Sequence, residues 1–213
     1  MKIAVVGATG PTGKLVVAEA LNRGHEVVAY VRNAEKLQAH ENLLIATGQL
    51  ANIDSFSAAI RDCDVIISCL GTRSRKEFTF ARTNLPFVSN AMKKAGVSRL
   101  VLMSSFGAGT IAKGGLFSRA LYWVIAHTLF NDRTKSEIAL NESGITWTGV
   151  YPPFLIDGPA APEVDIREMH TVKGMKGNGK VARINVAKFL VDCAEDQSTA
   201  GKRFAICSSG VLI

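Results

Sequence analysis

The first 24 residues limit the possible folds of this chain more than any other segment. Residues 2–6 (KIAVV) form a continuous apolar run, typical of a strand buried on both faces, and the glycine-rich turn GATGPTG follows at once. Behind this turn, KLVVAEALNRG has apolar residues at helical spacing and ends at Gly24, a suitable helix C-terminal glycine. The apolar run EVVAYVR then completes a strand–helix–strand unit of about 30 residues. This beginning predicts a parallel β-sheet.

The same alternation of apolar runs and helical patterns continues to the end of the chain. Strands that alternate with helices form parallel sheets with right-handed crossovers. We therefore expect a single domain over 1–213 with an α/β, doubly wound (Rossmann) fold. Its sheet should have about seven strands in the order 3-2-1-4-5-6-7. We also expect an irregular substrate-side loop at about 151–183. Further strands are predicted at 43–47, 64–70, 99–105, 145–150 and 202–207, and helices at 54–61 with Asp54 as N-cap, 81–95, about 116–142 and about 184–196.

Composition and charge exclude several classes of protein. With 213 residues, 47% of them hydrophobic, the chain is long enough and apolar enough to bury a core. The net charge of +7 raises the question of nucleic acid, but the basic residues are scattered without interleaved aromatics, so we expect no nucleic-acid partner and attribute the excess to a small anionic ligand. The four cysteines lack metal-site spacing, and no apolar segment suits a leader or a membrane span. We expect no metal, no membrane contact, a cytoplasmic location and a monomer or weak homodimer.

The glycines of GATGPTG have the spacing and the context of a dinucleotide-binding turn. Gly7 allows the tight turn, Gly10 lets the backbone approach a pyrophosphate, and Gly13 permits close packing of helix against strand. The helix that follows supplies amide donors and the positive end of its dipole. A glycine-rich turn without a nucleotide is the alternative, but strand, turn and helix are all in place. The GxxGxxG spacing is typical of short-chain dehydrogenase-like proteins.

The end of the second strand indicates which dinucleotide binds. NAD enzymes place a carboxylate there for the ribose 2′-hydroxyl, whereas NADP enzymes place arginine near the 2′-phosphate. Here Arg32 follows the strand and Lys36 lies about one helical turn away, which favours NADP(H) over NAD(H). Glu35 is the competing feature, because it could pair with Arg32 or face water.

Five further segments carry a resemblance to a known family: YVRN, CLGTR (69–73), LVLMSSFGAG (100–109), LNESGITWTGVYPPF (140–154) and GKRFAICS (201–208). With the glycine turn, they resemble the atypical short-chain dehydrogenases that include NADPH-dependent flavin reductases and biliverdin-IXβ reductases, over almost the whole chain. The resemblance implies a reductase that transfers a hydride from NADPH to a planar aromatic acceptor, a flavin (FMN or FAD) or a tetrapyrrole.

The resemblance also implies which residues hold the cofactor. Gln49 stands where these relatives usually carry an acid, and it brings a hydrogen bond to adenine but no charge. By position in the family, Gly7, Thr9, Gly10, Pro11, Thr12 and Gly13 would hold the pyrophosphate, Arg32 and Lys36 the 2′-phosphate, Gln49 and Leu50 would flank adenine, Leu70, Gly71, Thr72 and Arg73 would hold the central ribose and phosphates, and Ser104, Ser105, Tyr151, Pro152, Pro153 and Phe154 would lie beside the nicotinamide.

The Tyr-x-x-x-Lys pair of ordinary short-chain dehydrogenases is missing from this chain. Tyr122 is followed four residues later by Ala126 instead of lysine. Reactions that need a tyrosine proton relay therefore lose their catalyst, whereas hydride transfer between stacked rings depends mostly on positioning. Ser104 and Ser105 are the available hydroxyls, and Ser105 is the predicted catalytic one; alternatively, both only cap the end of their strand.

Two titratable residues have open roles. Glu137 is the acid best placed on the long helix, and it either supplies a proton or positions the cofactor, or is an exposed residue paired with Arg133 four positions earlier. His170 in the long loop either reaches the substrate or is solvated. Two other functions stay open: a sensor or regulatory protein that binds NADP(H) without turnover, and a nucleotide-sugar epimerase or dehydratase.

Overall fold

The computed structural model describes residues 1–71, 79–106, 132–177 and 179–213. Eight strands form the main sheet, and seven of them follow the predicted order 3-2-1-4-5-6-7. The eighth strand lies beyond the predicted seventh, so the expected count of about seven was one too few. The strands are β1 (Lys2–Val6), β2 (Glu26–Val31), β3 (Leu43–Thr47), β4 (Val65–Ser68), β5 (Arg99–Met103), β6 (Thr146–Tyr151), β8 (Val164–Glu168) and β10 (Arg203–Ser208), with β7 (Phe154–Ile156) and β9 (Lys180–Ala182) in a separate two-stranded sheet.

The segment 151–183, predicted as an irregular loop, contains three of these strands. β8 pairs antiparallel with β10, for example Ile166 with Ile206, and it forms the edge of the main sheet. Its sequence VDIRE has no continuous apolar run, because an edge strand has one partner and can face water. The apolar-run criterion for buried parallel strands therefore missed it.

Helices cover both faces of the main sheet. On one face, Val5 and Val101 of the sheet pack with Val16 and Leu190 from the helices, and on the other face Ile66 packs with helical residues. Neighbouring residues of one strand point to opposite faces, which explains the two separate clusters. The helices are α1 (Pro11–Asn22), α2 (Ile53–Ile60), α3 (Phe80–Ala95), α4 (described over 132–142) and α5 (Arg183–Glu195).

Most predicted helix boundaries agree with the structure, with one correction. Gly24 follows α1 with φ of +78°, as predicted for a C-terminal glycine. Asp54 is not the N-cap of α2: Asn52 holds that position, and its Oδ1 accepts a hydrogen bond from the Ser55 amide at 3.1 Å. Both residue types make good N-caps, and the helix begins at Ile53, which places Asp54 in the first turn instead. The part of the predicted 116–142 helix before residue 132 lies outside the described residues.

A carboxylate from α4 caps the beginning of α3. Thr79, the N-cap residue of α3, makes no side-chain capping bond. Instead, buried Asp132 accepts hydrogen bonds from the amides of Ala81 at 2.8 Å and Arg82 at 3.1 Å. The cap fixes α4 against α3, and α4 carries the acid of the candidate site.

Candidate functional site

The β1–α1 turn has the geometry that a pyrophosphate needs. Gly7 has φ of +77°, and a Cβ there would lie 2.7 Å from the carbonyl oxygen of Cys69. A Cβ on Gly13 would lie 2.1 Å from the Gly7 carbonyl oxygen, so helix and turn approach as closely as glycine allows. α1 begins at Pro11, and no side chain caps its N-terminus. This glycine cradle at an uncapped helix N-terminus fits an anionic dinucleotide.

Arg32 stands exposed directly after β2, at the carboxyl end of the strand. No described residue, Glu35 included, forms an ion pair with it, and the Glu35 side chain is exposed. The Glu35 amide instead donates to Asn33 Oδ1 at 2.9 Å, which begins the short 3-10 turn Ala34–Lys36. Glu35 could have paired with Arg32 or faced water, and in the structure it faces water. The Arg32 guanidinium is therefore available to a ligand.

The loop after β3 is held from β2. The Tyr30 hydroxyl lies within hydrogen-bond distance, 3.3 Å, of both the Gln49 carbonyl oxygen and Ser55 Oγ. Gly48 leaves room for that hydroxyl, because a Cβ there would lie 2.0 Å from it. The Gln49 side chain is exposed and Leu50 is half-buried against the core. Both predicted adenine neighbours therefore lie at the carboxyl edge of the sheet, next to the end of β2.

Beyond β4, the chain passes the half-buried guanidinium of Arg133. A Cβ on Gly71 would lie 3.8 Å from Arg133 Nη2, and Nη1 of the same arginine donates to the Met103 carbonyl oxygen at 3.3 Å. Burial lowers the pKa of Arg133, although the neighbouring Glu137 and Asp132 carboxylates oppose this shift. Leu70 is half-buried at the same edge, whereas Thr72 and Arg73 lie outside the described residues.

Three side chains meet at the ends of β5 and β6. Ser104 Oγ donates to Glu137 Oε1 at 2.6 Å, and the Tyr151 hydroxyl donates to Glu137 Oε2 at 2.9 Å. Their exposed fractions are 4%, 7% and 2% for Ser104, Glu137 and Tyr151. Of the alternatives for Glu137, the exposed residue paired with Arg133 is therefore wrong, because α4 turns this position toward the sheet. We call Ser104, Glu137 and Tyr151 the edge cluster.

Opposing influences act on the edge-cluster carboxyl. Burial raises the pKa of Glu137, while hydrogen bonds from Ser104 and Tyr151 and the charges of Arg203 and Arg133 oppose the rise. The net direction is upward. Burial and the adjacent carboxylate likewise raise the pKa of the Tyr151 hydroxyl. The Tyr151 hydroxyl therefore stays protonated and donates a hydrogen bond to Glu137. The carboxylate that accepts this bond has a higher affinity for protons than an exposed glutamate has.

Backbone bonds join the segment after β5 to the end of β6 and to the residues that follow β6. The Ser104 amide donates to the Val150 carbonyl oxygen at 2.8 Å, and the Phe106 amide donates to the Pro152 carbonyl oxygen at 2.9 Å. Ser105 is half-buried, Pro152 buried and Pro153 half-buried, whereas Phe154 is exposed. The predicted nicotinamide neighbours therefore share one edge, but Tyr151 lies beneath the surface as part of the edge cluster.

His170 is not part of the edge cluster. It lies in a 3-10 turn with an exposed side chain, and its Nδ1 is 3.3 Å from Glu168 Oε2. In the described part of the chain, no three His, Cys, Asp or Glu side chains are grouped as a metal site would need. None of the described helices is long and apolar enough to cross a membrane.

Sequence reasoning missed two bonds of this region. The Tyr151–Glu137 bond joins residues 14 apart on different elements, and Asp132 caps a helix about fifty residues upstream. Neither pair has a local signal, because capping and strand patterns relate residues only a few positions apart.

Fold and site together define a dinucleotide-binding α/β protein of the Rossmann type, with its ligand edge at the carboxyl ends of the strands. The NAD(P)H-binding family model matches residues 7–197, and the chain belongs to this family.

Solved structures share the fold across nearly the whole chain. The oxidoreductase YlbE from Lactococcus lactis superposes with a TM-score of 0.84 at 19% identity, covering 98% of this chain and 91% of that one. A short-chain dehydrogenase/reductase from Veillonella parvula in complex with NADP gives 0.78 at 15% identity, covering 100% and 96%. A candidate NADH-flavin reductase from Streptococcus pneumoniae gives 0.77 at 22% identity, covering 98% and 100%.

Proposed function

We propose that this protein is an NADPH-dependent reductase that transfers a hydride to a planar aromatic acceptor, with flavin as the first candidate. The edge cluster carries the proposal: in its described part, α4 presents Glu137, and no tyrosine, to the serine at the end of β5. The tyrosine of the edge cluster, Tyr151, lies on β6 and already donates to Glu137, so a reaction that needs a free tyrosine hydroxyl as proton relay lacks its donor in the described part of the site. Hydride transfer between stacked rings needs chiefly orientation, and solvent can supply the proton.

The cofactor assignment follows from the glycine cradle and from Arg32. Gly7, Gly10 and Gly13 with the N-terminus of α1 would hold the pyrophosphate, and Arg32 with Lys36 the 2′-phosphate. The predicted partners at the ends of the other strands would hold adenine and the central ribose. When bound, NADPH supplies the hydride.

Within this proposal, Glu137 is a positioning residue and not a catalytic one. It is buried, and its two carboxylate oxygens are engaged by Ser104 and Tyr151. It thereby fixes the ends of β5 and β6, and with them the half-buried Ser105, beside the place expected for the nicotinamide. The neighbours described as an oxidoreductase, an NADP complex and a candidate flavin reductase are compatible with this function.

The first experiment tests cofactor choice and turnover together. We expect NADPH oxidation in the presence of FMN, and we expect Arg32→Ala to weaken NADPH binding by about 10- to 100-fold with little effect on NADH, because a charge-assisted contact to the 2′-phosphate is lost. Binding is measured by titration calorimetry and turnover by the absorbance of the reduced nicotinamide. Arg61→Ala is the matched control, since Arg61 is exposed at the opposite edge of the sheet.

A sensor that binds NADP(H) without turnover is the second candidate. The observation that favours it is that both edge-cluster hydroxyls already donate to Glu137. Tight NADPH binding without oxidation by any flavin, quinone or tetrapyrrole would support the sensor and overturn the reductase.

A further inference from the structure

The strand β8 forms one edge of the main sheet, and its outer side has no pairing strand in the described part of the chain. On its inner side it pairs with β10, for example Ile166 with Ile206. Among the described residues, no backbone group outside β10 is hydrogen-bonded to the backbone of residues 164–167. Such an edge presents N–H and C=O groups with which a further strand can pair.

Two side chains of β8 carry opposite charges. Asp165 and Arg167 are two residues apart, so they project from the same face of the sheet. Arg167 Nε donates to Asp165 Oδ1 at 2.9 Å and Nη2 donates to Oδ2 at 3.2 Å, while the Leu212 amide donates to Asp165 Oδ2 at 3.3 Å. The aspartate side chain is 12% exposed and that of the arginine 42%. The pair is therefore held on its inner side, and the guanidinium stays accessible at the edge.

Two-fold symmetry limits how a second copy of β8 can pair with this edge. In two antiparallel copies, opposite residues project to the same face, so the axis must pass beside one residue of each strand. An axis at Asp165 places two aspartates opposite each other, and an axis at Arg167 places two arginines opposite each other. An axis at Ile166 places Asp165 of each copy opposite Arg167 of the other. Since directly opposite like charges destabilise a strand pair, the charges select the axis at Ile166 from these three central registers.

The other face of β8 fits the same register. Ile166, which is 38% exposed, would contact Ile166 of the second copy at the axis. Glu168 would lie opposite Val164, and its carboxylate is already paired with Lys202 at 3.2 Å. Charged side chains protect a sheet edge from pairing when they repel the incoming strand. In the register centred on Ile166, the charges of the two β8 strands attract each other instead.

We propose that β8 is an interface between two copies of this chain, which pair β8 with β8 antiparallel about a two-fold axis at Ile166. The main sheet then continues from one copy into the other. A single pair of short strands buries little surface, so we expect a weak dimer with a dissociation constant on the order of 10 µM. The inference goes beyond the proposed function and does not depend on it, because the pairing uses neither the glycine cradle nor the edge cluster.

Charge reversal tests the pairing. Sedimentation equilibrium of the wild type at about 100 µM should show mostly dimer. Arg167→Asp should weaken the dimer at least about tenfold, because it places acids opposite each other. Ile166→Lys, which leaves the Asp165–Arg167 pair intact, should weaken it as well, because two ammonium groups meet at the axis. Arg61→Asp, at an exposed position after α2, is the matched control and should leave the dimer unchanged.

Cross-linking tests the register. Ile166→Cys places two thiols opposite each other at the axis, with their Cβ atoms about 4.5–5.5 Å apart. The four native cysteines are buried, so they should contribute little background. A short bifunctional maleimide should therefore convert the Ile166→Cys protein to a covalent dimer. Leu44→Cys is the matched control, because Leu44 is 56% exposed on β3 at the opposite edge of the sheet.

The outcomes are independent of catalysis. A wild-type protein that is monomeric at about 100 µM would overturn the interface. A dimer that Arg167→Asp and Ile166→Lys leave intact would also overturn it, as would faster cross-linking of Leu44→Cys than of Ile166→Cys, since the contact would then lie elsewhere. NADPH oxidation with FMN is measured separately, and its absence would overturn the reductase without affecting the β8 interface.

Discussion

At the scale of single residues, a buried acid distinguishes this site from a simple nucleotide-binding edge. Glu137 is 7% exposed and accepts hydrogen bonds from Ser104 and Tyr151. Burying a carboxylate costs free energy, and only part of that cost is returned by neutral donors. The upward shift of its pKa expresses this balance. The free energy of unfolding should therefore depend on whether the Glu137 carboxyl is protonated.

The sign of that linkage gives a prediction for Glu137→Gln. A carboxyl whose pKa is higher in the folded than in the unfolded chain binds more protons when folded, so its contribution to stability falls as pH rises from the unfolded pKa through the folded one. Relative to wild type, Glu137→Gln should therefore gain stability from acidic toward neutral pH, because the amide cannot ionise. Urea unfolding at several pH values measures the difference.

The control for this prediction lies on the same helix. Glu142→Gln makes the same substitution at an exposed position of that helix. A Glu137→Gln difference from wild type that changes with pH no more than the Glu142→Gln difference does would show that the buried carboxyl does not titrate differently in the folded chain.

At the scale of secondary-structure elements, the first strand–helix–strand unit was predictable and the capping of α3 was not. The apolar run, the glycine turn and Gly24 all act within a few residues, so they can be read from the local sequence. Asn52 and Asp54 show the limit of such reading, because both are good N-caps two positions apart. The long-range cap from Asp132 needs the fold to bring α4 against α3.

Removal of that cap should weaken the packing of α3. Asp132→Ala leaves the amides of Ala81 and Arg82 without their carboxylate partner and removes a negative charge from the helix N-terminus. We expect a loss of about 1–2 kcal/mol in the free energy of unfolding, measured by urea titration. Asp62→Ala, at an exposed position, should change the stability by less than about 0.5 kcal/mol. Equal effects of the two substitutions would contradict the capping role.

At the scale of the whole molecule, an ion-pair cluster ties the first helix to the last. Arg23, just after α1, lies 2.8 Å from Glu19 of its own helix and 2.7 Å and 2.8 Å from Asp192 and Glu195 of α5. His25 Nε2 lies 2.7 Å from Glu195 Oε1. Although desolvation opposes it, hydrogen bonds from His25 and Arg23 hold the pKa of Glu195 below its ordinary value. The cluster thus joins residues 169 to 172 positions apart.

Arg23→Ala should destabilise the protein, because it leaves three carboxylates close together. We expect a loss of about 1 kcal/mol at low salt, decreasing in about 1 M NaCl, since these groups are partly exposed and screened. The Glu195 contribution is present above its unfolded pKa and is lost as pH falls through the lower folded one. The difference from wild type should therefore also shrink in acid, as thermal unfolding would show. Lys94→Ala, which breaks one exposed pair, is the control.

Local sequence determined the elements that lie on one stretch of chain. The apolar runs specified the seven parallel strands and their order, since a strand buried on both faces must be apolar throughout and right-handed crossovers leave few arrangements. The position of Arg32 after β2 and the glycine spacing indicated where a dinucleotide would bind, because both features act within a few residues.

The tertiary structure decided what depends on contacts between distant segments. It turned Glu137 inward onto Ser104 and Tyr151, added β8 as an antiparallel edge, and paired Phe154 with Lys180 across 26 positions of sequence. No short-range pattern encodes such pairs, because their partners become neighbours only after the sheet has assembled. Hydrophobic periodicity specifies which face of a helix or strand is buried. Which residues of other elements contact that face depends on how all the elements pack together.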